Sequence, residues 1–140
     1  MKLSSHDLVE MQQLYARYNT AIDTGDGKGF AACFVEQGLF DSGMSVIEGR
    51  EGIAAFAEQT HSAMPGMRHN TTNIVLDGEI RDGEGGADGD TLGDAQGSAF
   101  LIGYLTEGGY KVIVTGRYQD ELKKTSDGWR FVKRVFRADS

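Results

Sequence analysis

The chain of 140 residues carries 14 Lys and Arg against 21 Asp and Glu, a formal net charge of -7. This acidity disfavours binding to a nucleic-acid backbone, and no apolar run reaches the length of a membrane span. A chain of this size can bury enough surface to fold as one domain, residues 1–140, without disulfides or metals. Cys33, the lone cysteine, has apolar neighbours, which indicate a buried thiol in a reducing compartment. We therefore expect a cytoplasmic protein that binds neither nucleic acid nor membrane.

The first half of the chain predicts three helices. Ser4 or Ser5 caps the first, whose apolar residues recur every three or four positions as far as Ile22. A turn at 24–27 ends this helix, and a shorter helix through 30–34 follows. The third helix spans 50–62 and stops before Pro65.

The remaining segments predict strands. Short strands at 39–41 and 45–47 flank a turn, and longer ones follow at 68–76 and 98–105. A hairpin then joins strands 112–122 and 129–136 through a turn at 125–128. The segment 78–97 is almost all Gly, Asp and Glu, which predicts a long exposed loop. This order of elements predicts an α+β fold in which helices precede a curved antiparallel sheet.

Tyr18, Asp23 and His69 are the candidate catalytic residues. If these side chains converge in an apolar pocket, they could remove a proton beside a carbonyl and assist a leaving group without a cofactor. Each also has a purely structural interpretation. Tyr18 lies on the apolar stripe of its helix, Asp23 could cap the turn that follows it, and His69 could bond a backbone carbonyl.

Five stretches, taken in order, resemble the SnoaL-like branch of the nuclear-transport-factor-2-like (NTF2-like) superfamily. They lie at 18–34, 48–53, 68–69, 116–122 and 127–131, and the last contains the Asp-Gly-Trp-Arg-Phe hairpin turn. The resemblance implies a cone in which three N-terminal helices pack on a strongly curved antiparallel sheet and enclose an apolar pocket. It does not fix the function, because this fold hosts dehydratases, isomerases, cyclases and non-catalytic subunits.

The resemblance offers two catalytic templates. In the dehydratase template, Asp23 orients His69, His69 removes the proton alpha to a carbonyl, and Tyr18 hydrogen-bonds the substrate oxygen. In the ketosteroid-isomerase or cyclase template, Tyr18 acts with Asp41 as general base and Asp120 as a protonated donor. A third hypothesis is a non-catalytic domain that binds small molecules or assembles with other subunits.

The same resemblance suggests further expectations for the pocket and the partners. A hydrophobic hydroxy-carbonyl, aromatic, steroid-like or polyketide-like substrate would be enclosed by large apolar side chains. We expect these to be Phe40, Phe56, Met67, Phe100, Tyr118, Trp129 and Phe131. The three histidines are too scattered for a metal site, and no glycine-rich nucleotide fingerprint occurs, so we expect no metal and no cofactor. The outer face of the sheet would form a homodimer or homotrimer.

Overall fold

The computed structural model describes residues 1–81 and 92–140. Within these residues it contains three helices and six strands. They are α1 (Ser5–Thr24), α2 (Gly27–Ala32), β1 (Phe34–Asp41), β2 (Val46–Glu48), α3 (Arg50–Ala63), β3 (Met67–Ile80), β4 (Gly93–Leu105), β5 (Lys111–Thr125) and β6 (Gly128–Ala138). The predicted α+β architecture, with three helices packed on a sheet, is confirmed. No helix in this part of the chain is long and apolar enough to cross a membrane.

The sheet is mixed, whereas the sequence predicted an antiparallel one. Its strands lie in the order β2-β1-β6-β5-β4-β3. The meander from β3 to β6 is antiparallel, but β6 returns beside β1 in the same direction, so this pair is parallel. Each neighbouring pair is hydrogen-bonded, yet β2 and β3 remain unpaired with each other, so the sheet curves without closing.

Two predicted boundaries are corrected. The segment 78–97 was expected to be a loop, but β3 continues to Ile80 and β4 begins at Gly93, with these two residues paired. The sequence did not predict this strand pairing because the segment is rich in glycine. At Gly78 the neighbouring strand lies so close that a Cβ there would be 2.2 Å from the Asp94 carbonyl oxygen. The rest of the predicted loop, 82–91, lies outside the described residues. In addition, α2 ends at Ala32, and Phe34 begins β1 instead of continuing the helix.

Two irregularities in the ladders decide which side chains face the helices. In β6, Phe131 is paired with Leu122 and Lys133 with Glu121, so Val132 is an extra residue that shifts the alternation. As a result Phe131 and Arg134 both face inward, three positions apart. A second shift lies in β3 between Thr72 and Val75, where Asn73 has a φ of 53°.

The core lies between α1 and the concave face of the sheet. Its centre is an aromatic cluster around Tyr18, which is 1% exposed. The Tyr18 ring centroid lies 4.4 Å from that of Phe30 and 5.8 Å from that of Phe131. Edge-on and tilted ring contacts of this kind add to the stabilisation that burial itself provides.

A buried carboxylate fastens the start of α1 to the sheet. Asp7 forms a capping box with Ser4, and its Oδ1 accepts hydrogen bonds from Lys124 Nζ at 2.9 Å and Trp129 Nε1 at 3.0 Å. Burial alone would raise the pKa of Asp7, but the hydrogen bonds from Lys124, Trp129 and Ser4 outweigh it and hold the pKa well below its usual range. The ionised carboxylate therefore favours the folded state.

We expect Asp7→Asn to destabilise the fold by about 1–3 kcal/mol at neutral pH, because Asn cannot replace the charge-assisted hydrogen bonds. A lowered folded pKa stabilises above the unfolded pKa, near 4, and this stabilisation is lost as the pH falls towards the folded pKa. The difference between wild type and variant should therefore shrink in acid. Urea unfolding at several pH values would measure it, with Asp127→Asn, in an exposed turn, as the control. A constant difference at all pH values would contradict the assignment.

Candidate active site

Asp23 and His69 form a closely paired dyad. Asp23 stands near the C-terminal end of α1, and His69 is the third residue of β3. The Asp23 Oδ1 lies 2.6 Å from His69 Nδ1, and Oδ2 accepts the His69 backbone N–H at 2.9 Å. Both side chains are about nine-tenths buried, with relative exposures of 10% and 9%. One carboxylate therefore fixes both the backbone and the ring of the histidine.

This arrangement selects one tautomer of the imidazole. A carboxylate accepts hydrogen bonds, so the proton of a neutral His69 is assigned to Nδ1, which leaves a lone pair on Nε2. Among the described residues, no protein group hydrogen-bonds Nε2. An oriented imidazole with a free Nε2 lone pair is suited to act as a general base.

Tyr18 does not join the dyad directly. It lies in the aromatic core five residues before Asp23, and burial raises its pKa well above the usual value, helped by the neighbouring Tyr118. Burial likewise raises the pKa of Tyr118, and the nearby Asp23 carboxylate also acts in that direction. The two rings meet edge to face with centroids 6.1 Å apart. Tyr118 thus lies within electrostatic reach of both Tyr18 and Asp23, as a neutral hydroxyl.

A buried ion pair, which sequence reasoning missed, lies beneath these tyrosines. Arg134 and Asp120 both have fully buried side chains, and Arg134 Nε donates to Asp120 Oδ1 at 2.9 Å. The guanidinium carbon lies 3.5 Å from the Tyr118 ring centroid and 4.3 Å from that of Tyr18. Simple alternation of side chains along β6 from Trp129 and Phe131 would place Arg134 on the solvent-facing side. The extra residue at Val132 turns Arg134 inward.

Asp120, the carboxyl group on which the isomerase template depends, is already bound to Arg134 in this ion pair. Burial raises the pKa of Asp120 while Arg134 opposes that rise. Its oxygens accept hydrogen bonds from Arg134 and from the Tyr15 hydroxyl, the latter at 2.6 Å. A template in which Asp120 donates a hydrogen bond to a substrate does not match these contacts.

Asp41 lies on the other face of the sheet. Because Phe40 points into the core, the next side chain points outward, where Asp41 meets the Arg137 guanidinium at 2.9 and 3.0 Å. Arg137 and the Gly43 N–H lower the pKa of Asp41 to about 2. The structure therefore does not bring Asp41 and Asp120 together.

The family model described as SnoaL-like domain matches residues 4–135. The chain belongs to the SnoaL-like domain family. The family includes enzymes such as polyketide cyclases. The search of curated proteins found no match to the chain.

Solved structures share the fold. A variant of a protein of unknown function from Mycobacterium tuberculosis is 35% identical, with a TM-score of 0.77, over 94% of this chain and 71% of that one. A protein of unknown function with a cystatin-like fold from Nostoc punctiforme is 20% identical, with a TM-score of 0.83, over 99% and 96%. An NTF2-like protein with a cystatin-like fold from Novosphingobium aromaticivorans is 24% identical, with a TM-score of 0.77, over 94% and 80%. The fold of this SnoaL-like domain is thus the NTF2-like cone.

The side chains expected to line the pocket of the SnoaL-like cone fall into three groups. Those buried in the core are Phe40, Met67, Tyr118, Trp129 and Phe131. Phe56 is half-buried at the edge of that core. Phe100 is 45% exposed, with the Arg117 guanidinium over its ring, so its prediction as a pocket residue is wrong. Along β4 the side chain of Phe100 points to the outer face of the sheet, whereas those of Ala99 and Leu101 point into the core.

Trp129 is also poorly placed to contact a substrate at the dyad. Its Nε1 donates to Asp7 at the start of α1, whereas Asp23 lies at the far end of this helix of 20 residues. A half-buried apolar side chain nearer to the dyad is that of Val114. Val114 pairs with Gly103, which pairs in turn with His69.

A polar cleft of about 300 Å³ also reaches the dyad, between α1 and β3. His69 contributes to its wall, together with Asn19, Asn70 and Thr71. Asn19 Nδ2 donates to Thr71 Oγ1 at 2.7 Å across this cleft. Within the described residues, no group of three or more His, Cys, Asp or Glu side chains is arranged to hold a metal ion.

Proposed function

We propose that this SnoaL-like domain is a cofactor-independent lyase of the dehydratase type. Its substrate would be a hydrophobic hydroxy-carbonyl compound, such as an aromatic, steroid-like or polyketide-like molecule. The observation that carries the proposal is the double contact of Asp23 with the ring and backbone of His69. Such a contact holds a general base in one tautomer and one orientation.

In the proposed step, His69 Nε2 takes a proton from the carbon next to the substrate carbonyl. The C–H electron pair moves into an enolate and then forms the C=C bond as the C–O bond to the hydroxyl group breaks. The departing hydroxyl leaves as water after receiving a proton from the imidazolium. No oxidant, reductant or cofactor is needed to balance this elimination.

Asp23 supports this step electrostatically. An imidazolium forms when His69 accepts the proton, and the carboxylate at 2.6 Å from Nδ1 stabilises that positive charge. Because the pair is about nine-tenths buried, solvent screens the interaction little.

Tyr18 and Tyr118 would supply the polar assistance. Their hydroxyls remain protonated because burial raises the pKa of each. A neutral hydroxyl can donate to an enolate oxygen or to a departing hydroxyl group. Tyr118, whose pKa responds to Asp23, is the better placed of the two, and Tyr18 would act through it.

The alternatives predict different behaviour. The isomerase or cyclase template requires Asp41 and Asp120 in one site, but their side chains lie on opposite faces of the sheet. A non-catalytic ligand-binding domain would bind the same class of molecule without converting it. The hydrogen-bonded dyad favours the lyase over both, because simple binding does not require an oriented base.

A direct test would incubate the protein in D₂O with a panel of aromatic and polycyclic hydroxy-carbonyl compounds. Enone absorbance would follow elimination, and mass spectrometry would follow deuterium entering the carbon next to the carbonyl. We expect turnover by the wild type and a loss of about 10²–10⁴-fold in His69→Ala, with ligand binding retained. His6→Ala is the control, because His6 has a side chain that is 83% exposed near the start of α1.

Binding without turnover by the wild type would indicate the non-catalytic domain. Turnover that persists in His69→Ala would show that another group is the base. Either result would overturn the proposed role of the dyad.

We also propose that the outer face of the sheet mediates a homodimer or homotrimer. Val75, Phe100 and Ile102 are 57%, 45% and 39% exposed, respectively, on strands whose opposite face covers the core. Exposed apolar side chains of this size on a sheet face are typical of an interface. Light scattering coupled to gel filtration would give the mass, and a monomer at all concentrations would contradict this.

A further inference from the structure

A second cleft lies on the flank of α1 that faces α2. It has a volume of about 450 Å³ and is formed by α1, α2 and the start of β6. Leu14, Ala21, Ala32 and Cys33 are among the residues that line it, so part of its wall is apolar. Neither Asp23 nor His69 is among its lining residues. The cleft is therefore separate from the proposed catalytic dyad.

Two arginines border this cleft, and neither forms an ion pair with an acidic residue in the part of the chain that the structure describes. Arg17 is exposed on α1, and within the described residues it makes no hydrogen bond or ion pair. Arg130, half-buried on β6, donates to the backbone carbonyl of Trp129 at 2.8 Å and to no other group among residues 1–81 and 92–140. In a chain with a net charge of -7, two unpaired cations on one cavity are a distinct local feature.

Arg17 and Arg130 both line this cleft along the wall that contains the Cys33 thiol. Burial raises the pKa of the Cys33 thiol to about 11, while Arg130, Arg134 and Arg17 oppose that rise. An anion placed near Cys33 would be attracted by both.

The opposite end of the cleft carries an acidic residue. Its lining there includes Thr24 and Asp26, and the Asp26 Oδ1 accepts the Gly29 N–H at the start of α2. Arg17 and Thr24 are separated by about 10 Å along the axis of α1, given the rise of about 1.5 Å per residue. The cleft is thus basic at one end, acidic at the other, and partly apolar between them.

We propose that this cleft binds a small amphipathic anion, with its carboxylate held between Arg17 and Arg130 and its apolar chain lying along Ala21 and Ala32. Guanidinium groups bind carboxylates by charge-assisted and often bidentate hydrogen bonds. The acidic end at Asp26 fixes the direction of the ligand, because it repels the carboxylate. This site is independent of the lyase activity.

The test uses octanoate as the probe, with octanol as the uncharged analogue, in titrations followed by calorimetry and by NMR of alanine methyl groups. We expect octanoate to shift the methyl signals of Ala16, Ala21 and Ala32, and octanol to bind at least about tenfold more weakly. Arg17→Gln and Arg130→Gln should each weaken octanoate binding by about tenfold or more. Arg117→Gln, which removes an exposed arginine from the outer sheet face, should have no effect.

Several outcomes would overturn the proposal. These are failure of octanoate to bind, binding no tighter than that of octanol, and binding to both arginine variants that is as tight as binding to the wild type. Methyl shifts confined to the cone, at Ala99 for example, would place the probe in the other site. Circular dichroism of each variant checks its fold, and none of these measurements depends on enzymatic turnover.

Discussion

Replacing Asp23 with Asn is expected to reduce the rate of the proposed elimination by about 10²–10⁴-fold while leaving the fold intact. The Asn side-chain carbonyl can still accept the His69 backbone N–H, so the attachment of β3 to α1 is kept. Its amide group would then face His69 Nδ1 as a donor. The imidazole must respond by moving its proton to Nε2, which removes the lone pair that acts as the base.

This variant tests whether Asp23 acts by fixing the tautomer and orientation of the His69 ring or only by lying close to it. Nitrogen-15 NMR of the imidazole would report the tautomer of His69 directly, and kinetics on the same sample would report kcat and KM. We expect kcat to fall and KM to change little, because Asp23 acts through the base. Asp26→Asn is the matched control, since Asn is an equally good N-cap for α2. Full activity in Asp23→Asn, with the tautomer reversed, would contradict the proposed mechanism.

Asp120→Ala is expected to destabilise the fold by about 3–5 kcal/mol, because it leaves the Arg134 guanidinium buried without its counter-ion. Tyr15 would lose its hydrogen-bond acceptor as well. Against a typical domain stability of about 5–15 kcal/mol, this loss is a large fraction. Urea unfolding should show a lower midpoint with little change in the slope.

The companion variant tests the cause of that loss. Arg134→Met removes the charge and keeps much of the side-chain volume, so the double variant Asp120→Ala, Arg134→Met should be more stable than Asp120→Ala alone. A double variant less stable than Asp120→Ala would show that Arg134 stabilises the core mainly by stacking on Tyr118 and Tyr18. Their ring centroids lie 3.5 and 4.3 Å from the guanidinium carbon.

The pairing of Asp23 with His69 was predicted from the resemblance to the SnoaL-like family, whose dehydratase template brings these two positions together. Asp23 follows a long amphipathic helix whose end is marked by Gly25, and His69 follows the end of a helix marked by Pro65. Both lie close to element boundaries, since Asp23 is near the end of α1 and His69 is the third residue of β3. The helices α1 and α3 were predicted because their apolar periodicity is long and regular.

The buried ion pair was not predictable by the same means. In β6, simple alternation from Trp129 and Phe131 places Lys133 inward and Arg134 outward. One extra residue at Val132 reverses this parity, and no glycine or proline marks the position. The partner Asp120 lies in an alternating strand, where a solvated acid and a buried one have the same pattern. Only the three-dimensional pairing distinguishes them.

The hydrogen bond from the His69 backbone to Asp23 also bears on association with other chains. β3 is an edge strand, and an exposed edge offers unpaired N–H and C=O groups to any extended peptide. Asp23 occupies one of those N–H groups, and the N-terminal segment covers the far end through the Ile80 carbonyl and the bridge from Lys2 to Glu79. At the other edge, β2 has only three residues. The sheet is thereby protected at both margins against strand-by-strand polymerisation, so the proposed self-association would use its broad outer face and not its edges.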